Sequence, residues 1–355
     1  MARTFASVLI DTYNHERFIE KAIVSVLEQD FPTSDREIIV VDDGSSDATP
    51  EIVRKFGAQV RLLRKTNGGQ ASAFNAGIPE CKGEIVAFLD GDDWWTPGKL
   101  KRVTEVLTSE PSVGLLGHGI MEAFANGTIR MAVPEKGERL QLNSLAAARA
   151  FRLRKSFLGT SRMTLRTELA RRILPVPEAL VFEADEYLFT LAALMSETII
   201  LKDALTYYGI HGGNLYLSGG GGKAGLRRKQ QVMYALACVL RKELPARGAS
   251  AEVVDCVVEI VQADADQMRL MLDGGAPWET VRTENKIYEV MHSDAPRLQR
   301  VFRGLAMVPA MFLPPRWFYA GRGWLGSRAW YRRARQSVVP VPEIARVAGS
   351  REFKA

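Results

Sequence analysis

Three short apolar runs near the start of the chain each close on an aspartate. They are Ser7-Val-Leu-Ile-Asp11, Glu37-Ile-Ile-Val-Val-Asp42 and Glu84-Ile-Val-Ala-Phe-Leu-Asp90. Continuous, largely β-branched runs of this length read as strands buried on both faces, the mark of a parallel sheet. Ligands of open α/β sheets bind beyond the carboxyl ends of the strands, so the pattern lines three acidic side chains along one rim. Two of them are followed by more acid, as Asp42-Asp43 and Asp90-Gly91-Asp92-Asp93. Carboxylates crowded at one edge repel each other unless a cation joins them. A divalent metal carrying a phosphorylated substrate is the economical explanation.

The segments between these runs read as helices. Apolar residues at Phe18, Ile19, Ala22, Ile23, Val26 and Leu27 form one buried stripe. Thr49-Pro50 and Thr96-Pro97 each read as a cap followed by proline at the first helical position. Residues 60–63 read as a short third strand, and Gly68-Gly69 opens a helix running to Ala76. Strand and helix alternate at the short spacing of βαβ units. Further strands are expected at residues 113–121 and 198–208, an edge strand at 163–166, and a helix at 185–195; residues 126–152 give a weak signal. Beyond the four glycines at 219–222 the pattern turns helical, over roughly 224–243, 251–272 and 277–291.

At 355 residues the chain can bury a large core and is expected to hold two units. The three cysteines form no C-x-x-C pair, which points to a reducing compartment and away from a disulfide framework. Met1-Ala-Arg-Thr4 leads straight into the first strand without a secretory leader pattern, and no stretch approaches the roughly 18 uninterrupted apolar residues of a membrane-crossing helix. Between Arg300 and the end, eleven arginines and lysines face two glutamates. That stretch exceeds the chain's net +6 by itself, so the remainder is net acidic, which argues against nucleic acid as a partner.

Asp90-Gly91-Asp92 is the D-x-D arrangement that lets alternate carboxylates face one side of a tight turn, and hard oxygen ligands suit Mg²⁺ or Mn²⁺. Taken together, Val8-Leu-Ile-Asp-Thr-Tyr-Asn14, Ile38-Ile-Val-Val-Asp-Asp-Gly-Ser-Ser-Asp47, Asn67-Gly-Gly69 and Phe88-Leu-Asp-Gly-Asp-Asp93 resemble the successive blocks of the family 2 glycosyltransferases. The resemblance spans about residues 4–215 and implies the α/β GT-A fold with a mostly parallel sheet. It also implies an inverting transferase moving a sugar from a nucleoside-diphosphate donor, most often a UDP-sugar, to an acceptor hydroxyl with the help of a divalent metal. On this resemblance Thr12 and Asp43 match nucleotide-base contacts, with Asp42 beside them. Asn67, Gly68 and Gly69 match a segment near the ribose and phosphates, and Asp90 and Asp92 match the ribose- and metal-binding pair. Asp11 stands where the family commonly has proline and adds charge beside the base pocket.

An inverting transfer needs a base that deprotonates the acceptor hydroxyl. The family draws it from a Glu-Asp motif, matched here by Phe182-Glu-Ala-Asp-Glu186. Asp185 aligns best because Leu188 and Phe189 follow as the family's apolar helix would; Glu183 and Glu186 are the contenders. His211, in Tyr207-Tyr-Gly-Ile-His-Gly-Gly-Asn214, resembles a histidine that approaches the metal or diphosphate. His15, His118 and His292 lack partners at ligand spacing and read as structural.

The expected organisation is a catalytic domain over 1–218, a helical region over 219–299 on the acceptor side or at a homo-oligomer contact, and a basic aromatic tail over 300–355. That tail holds Trp317, Trp324 and Trp330 among its arginines, a composition suited to an anionic membrane surface. The whole reads as a cytoplasmic enzyme, peripheral on the inner face of a membrane. It would act on a saccharide or lipid-linked saccharide in envelope polysaccharide or glycolipid synthesis. The alternative is a non-catalytic descendant that binds sugar nucleotides or scaffolds an assembly.

Overall fold

The computed structural model describes residues 5–211, 222–291 and 296–327. Strands β1 (Ala6–Thr12), β2 (Arg36–Asp42), β3 (Arg61–Arg64) and β4 (Ile85–Asp90) run parallel in the order β3-β2-β1-β4. Val8, Leu9, Ile10, Ile39, Val40, Val41 and all the apolar residues of β4 are fully buried. Their continuous apolar character follows from a sheet covered on both faces. The register sets Asp11 opposite Asp90 and Thr12 opposite Asp42, so three strand ends lie side by side.

The crossovers are α1 (Ile19–Leu27), α2 (Thr49–Arg54), α3 (Gln70–Gly77) and, after the two-residue strand β5 (Trp94–Trp95), α4 (Lys99–Ser109). Helix α1 buries Ile19, Ala22, Ile23 and Val26, the stripe its sequence spells. Thr49 lies inside α2 rather than capping it: its hydroxyl accepts the His15 amide, and Asp47 Oδ1 takes the Thr49 amide instead. Thr96 likewise misses the cap of α4, because its amide and hydroxyl both turn to the Leu205 carbonyl.

The long strand β6 (Val113–Phe124) continues the sheet, and β7 (Ile129–Ala132) pairs with it. After β8 (Glu138–Leu140) comes α5 (Leu145–Arg154), then β9 (Thr164–Arg166), α6 (Thr167–Ile173), α7 (Ala184–Met195) and β10 (Glu197–Ile210). Short β9 is not an edge strand. It lies between β4 and β6, antiparallel to both, with Thr164 and Leu165 fully buried. The sheet order is completed by β6, β10 and β5.

Two compact units result. Residues 5–140 and 154–211 form the sheet unit. The other takes residues 141–153, most of α5, together with α8 (Gly222–Ala246), α9 (Ala251–Asp273), α10 (Pro277–Met291), α11 (Arg297–Phe312) and α12 (Pro315–Ser327). The border expected at 218, and Trp330 and His292, lie outside the described residues. The described part of the expected tail is helical and belongs to this second unit. Within it, α8 buries Val232, Leu236, Leu240 and Leu244, and α9 buries Val253, Val257, Ile260 and Val261. Buried Glu284 on α10 accepts from Gln267, Arg303 and Arg322, joining α9, α11 and α12.

Candidate active site

The turn after β4 is the centre of the site. The Gly91 amide donates to the Asp11 carbonyl at 2.9 Å, locking the β4 exit against the end of β1. A Cβ at position 91 would lie 2.6 Å from Thr12 Oγ1 and 2.7 Å from His15 Nδ1, so the D-G-D turn requires its glycine. Asp90 is held from behind by Ser161, whose hydroxyl accepts the Asp90 amide at 3.0 Å and donates to Asp90 Oδ2 at 3.2 Å. The Ser161 carbonyl in turn receives the buried Lys99 ammonium at 2.7 Å.

Five carboxylates feel each other's charge here: Asp11, Asp90, Asp92, Asp93 and Asp185. Burial pushes Asp11 up to about 7, helped by the charges of Asp92 and Asp185. Burial and then Asp11, Asp93 and Asp92 drive Asp90 well above the ordinary carboxylate range. Burial followed by Asp92 lifts Asp93 to about 8. Asp92 is the exception. Its burial works in the same direction, but the hydrogen bond with His211 Nε2 at 3.1 Å, with the nearby His15, holds it below its usual value. His211 is fixed by stacking on Phe18, ring centres 4.3 Å apart.

Asp185 sits in the first turn of α7. Its Oδ2 accepts the Thr160 amide at 3.0 Å and hydroxyl at 3.2 Å, and its Oδ1 accepts the Glu186 amide at 2.8 Å. Burial raises its pKa despite these bonds. The neighbouring acids differ. Glu186 is buried and gives both oxygens to Lys155 Nζ at 2.6 Å. Glu183 precedes α7 in a left-handed conformation, φ 60°.

The acids at the end of β2 are engaged by neighbouring amides and cations. Asp42 Oδ1 accepts the Ser45 amide at 2.9 Å, and Arg64 Nε lies 3.2 Å from its Oδ2. Asp43 receives Lys65 Nζ at 2.6 Å and the Gly68 and Gly69 amides at 3.0 and 2.6 Å, while Asn67 Nδ2 donates to its carbonyl. Asp43, Asn67 and Gly68 are thus assembled into one clasp, and Asp42 braces the turn beside it. Asn14 and Asn75 brace loops: the first accepts the Ser46 amide, the second exchanges two bonds with Val176.

Several contributors escaped the sequence reading. Thr160 and Ser161 lie in a turn with no motif, yet they hold Asp185 and Asp90. Asp93 was visible inside the acidic run without a role of its own. His15 bonds Thr12 Oγ1 at 3.2 Å and adjoins Gly91; its only sequence signal was its place directly after the Val8–Asn14 block.

Among the described residues Asp11 Oδ1 and Asp93 Oδ2 are buried without hydrogen-bond partners, and the raised proton affinities mark a local deficit of positive charge. Among the described residues no three His, Cys, Asp or Glu side chains form a protein-only cage. The set therefore fits an ion gripped by one or two protein ligands with substrate phosphates completing the shell, the habit of Mg²⁺. Asp92, on the same turn as Asp90, lies 3.1 Å from His211.

A sheet whose strand ends carry a D-G-D turn, with a second acid presented by a helix, defines a nucleotide-sugar-transferase type of α/β fold. The model of glycosyl transferase family 2 matches residues 7–170. An uncharacterized glycosyltransferase of Nostoc sp. is 34% identical over 234 residues, 64% of this chain and 71% of that protein. The chain belongs to glycosyl transferase family 2. The poly(ribitol-phosphate) beta-N-acetylglucosaminyltransferase TarS of Staphylococcus aureus is 35% identical over 114 residues, 31% of this chain and 20% of its own. Among solved structures, a mannosyltransferase of Pyrobaculum calidifontis in complex with GDP-Man and Mn²⁺ covers 95% of this chain and 85% of its own. It has a TM-score of 0.54 and 20% identity, a likeness of fold. The fold is GT-A, with a helical C-terminal region.

Proposed function

We propose that the chain moves a glycosyl group from a nucleoside-diphosphate sugar to an acceptor hydroxyl with inversion at the anomeric carbon. The observation that carries this reading is that one turn holds both acids: Thr160 bonds Asp185 and the adjacent Ser161 bonds Asp90 of the D-G-D turn. One carboxylate with raised proton affinity stands beside an ionised one paired to histidine. Environments that push titratable groups apart mark an acid–base division of labour.

In this reading Asp185 takes the proton of the acceptor hydroxyl as its oxygen bonds the anomeric carbon. The bond to the diphosphate breaks with its electron pair leaving on the phosphate oxygen. Thr160, through its amide and hydroxyl, and the Glu186 amide orient the Asp185 carboxylate for that transfer. Glu186 is the weaker base because Lys155 holds both its oxygens. Asp92 and His211, with Asp90, would hold a Mg²⁺ or Mn²⁺ ion, whose charge when bound neutralises the leaving diphosphate. The Asp43 clasp and Thr12 shape the nucleotide end, with Asp11 and Asp42 behind them.

Relatives named for N-acetylglucosaminyl and mannosyl transfer support the donor class rather than one sugar. A UDP-sugar is the favoured donor, and the acceptor is a saccharide, free or lipid-linked, in envelope polysaccharide or glycolipid synthesis. Such a role suits a cytoplasmic enzyme working at the inner membrane face. A panel of nucleotide sugars, each tested with and without Mn²⁺ for protection against thermal unfolding and for release of the nucleoside diphosphate, tests this. A productive donor should raise the melting temperature in a metal-dependent way. No stabilisation by any donor at millimolar concentration would overturn the reading.

A further inference from the structure

Helix α11 buries Met307 and Ala310 and, among the described residues, has an exposed opposite side. Val301, Leu305, Val308 and Phe312 are all exposed, Leu305 at 63% and Phe312 at 76%. Their spacing of four, three and four residues is one stripe of a helix. The next helix repeats the arrangement. Tyr319 of α12 is buried, while Trp317 and Trp324, two turns apart, are exposed at 72% and 57%. Residues 297–327 carry five arginines and no acid. Arg303 and Arg322 both turn to the single buried Glu284, so two charges meet one and the segment stays net positive.

An apolar stripe of this size on a soluble surface marks a partner. The charge decides which one. A second copy seated on the same face would set arginines against arginines. An acidic polymer would use the arginines and leave the stripe in water. An anionic bilayer satisfies both, with aliphatic side chains at the acyl boundary, indole rings at headgroup depth and arginines on lipid phosphate. No helix among the described residues is long and apolar enough to cross a membrane, so contact would be in the plane. Beside the stripe lies a cleft of about 600 Å³, lined by Arg149, Arg300, Tyr288, Met307 and Met311, that pairs guanidinium groups with apolar walls.

We propose that α11 and α12 form an in-plane docking surface for anionic membrane, with the Val301–Leu305–Val308–Phe312 stripe and Trp317 and Trp324 as its inserted side chains. The proposal rests on no step of the transfer reading.

Flotation of the full chain with vesicles of phosphatidylcholine, alone or with about 30% phosphatidylglycerol, tests it. Anionic vesicles should bind at least about tenfold more protein, with a blue shift in tryptophan emission. Leu305→Glu with Phe312→Glu should remove about nine-tenths of that binding without changing the far-ultraviolet spectrum or the melting temperature. Trp317→Ser with Trp324→Ser should weaken binding independently. Donor-induced thermal stabilisation should be equal in all variants, which separates failure here from failure of the transferase reading. Three results would overturn the proposal. One is a parent chain that does not float with anionic vesicles. Another is undiminished binding of the glutamate variant, which would mean a purely polyanionic contact. The last is a dimer in sedimentation that the same variant dissolves.

Discussion

Replacing Gly91 by alanine tests whether the D-G-D turn is held as tightly as its surroundings imply. The added methyl carbon would meet Thr12 Oγ1 at 2.6 Å and His15 Nδ1 at 2.7 Å. Neither atom ends a flexible chain. Thr12 is buried, and the His15 backbone is tied to Thr49 at 2.9 Å. Relief must come from the turn itself or from breaking the Thr12–His15 bond. Overpacking costs about 1–3 kcal/mol, and the lost hydrogen bond adds about 1 kcal/mol. A total of about 2–4 kcal/mol lowers the melting temperature of a unit this size by about 4–16 °C. The effect on chemistry should be larger. Asp90 and Asp92 flank the residue, and a displacement of about 1 Å at reacting groups costs on the order of 100-fold in rate.

Thermal unfolding and steady-state transfer with the best donor would be measured on the same preparations. Thr12→Ala removes one of the struck atoms, so the double variant should recover part of the stability, giving non-additivity of about 1 kcal/mol. A Gly91→Ala protein that melts within about 1 °C of the parent and turns over normally would refute the argument, because the turn would then have slack the distances deny.

Asp185→Asn should lower kcat by about 100-fold or more and leave the donor KM nearly unchanged, as expected for a lost general base. Glu186→Gln should cost stability rather than rate, and the reverse outcome would move the base to Glu186. Asp92→Ala should abolish the Mn²⁺-dependent part of donor stabilisation while the chain stays folded by circular dichroism; a preserved metal effect would displace Asp92 from that role. Asp11 and Asp93, raised to about 7 and about 8, hold protons in the folded chain that an unfolded aspartate releases near 3.8. The folded state therefore binds more protons between those values, and stability falls as pH rises through this window. The metal-free melting temperature should drop from pH 6 to about 8.5, less steeply in Asp93→Asn; a rise would contradict the assigned shifts.

The strands and their acidic rim were legible because a doubly covered strand must be apolar along its whole length, and only Asp11, Asp42 and Asp90 could end such runs. Helix α1 was legible for the same kind of reason, through its stripe. The two Thr-Pro helix starts misled, because Thr49 and Thr96 found distant partners, His15 and Leu205, that outcompete the local cap. Short β9 read as an edge strand because three residues cannot show a period, and pairing on both sides is a tertiary event. The site divided the same way. Asp11, Asp90 and Asp92, which the structure brings together, lie in segments that carry pattern, and Asp185 beside them was marked by the family resemblance. Thr160, Ser161 and Lys99 could not be found, because small polar turns and a lone lysine acquire meaning only beside Asp185 and Asp90. Asp42 and Asp43 stood in the expected place, but the sequence could not disclose that Ser45, Lys65, Gly68 and Gly69 occupy their oxygens.

The rim is also expensive in a way that bears on its use. Packing does not require four acids of raised proton affinity with two buried oxygens that lack partners among the described residues. Apolar or amide side chains would stabilise the same sheet, and local rules broken without structural gain mark a functional site. The cost can be offset only by something that binds the folded state and carries positive charge inward. Within the cluster the members are not equivalent. Asp92, held ionised by His211, is ready to meet a cation without first losing a proton, whereas Asp185, with its raised affinity, is ready to accept one. A ligand at a hundred times its dissociation constant would return about 2.7 kcal/mol to the fold. The same binding would expel protons from Asp11 and Asp90, so affinity for a metal-bound diphosphate should strengthen as pH rises through the range in which the unliganded protein weakens.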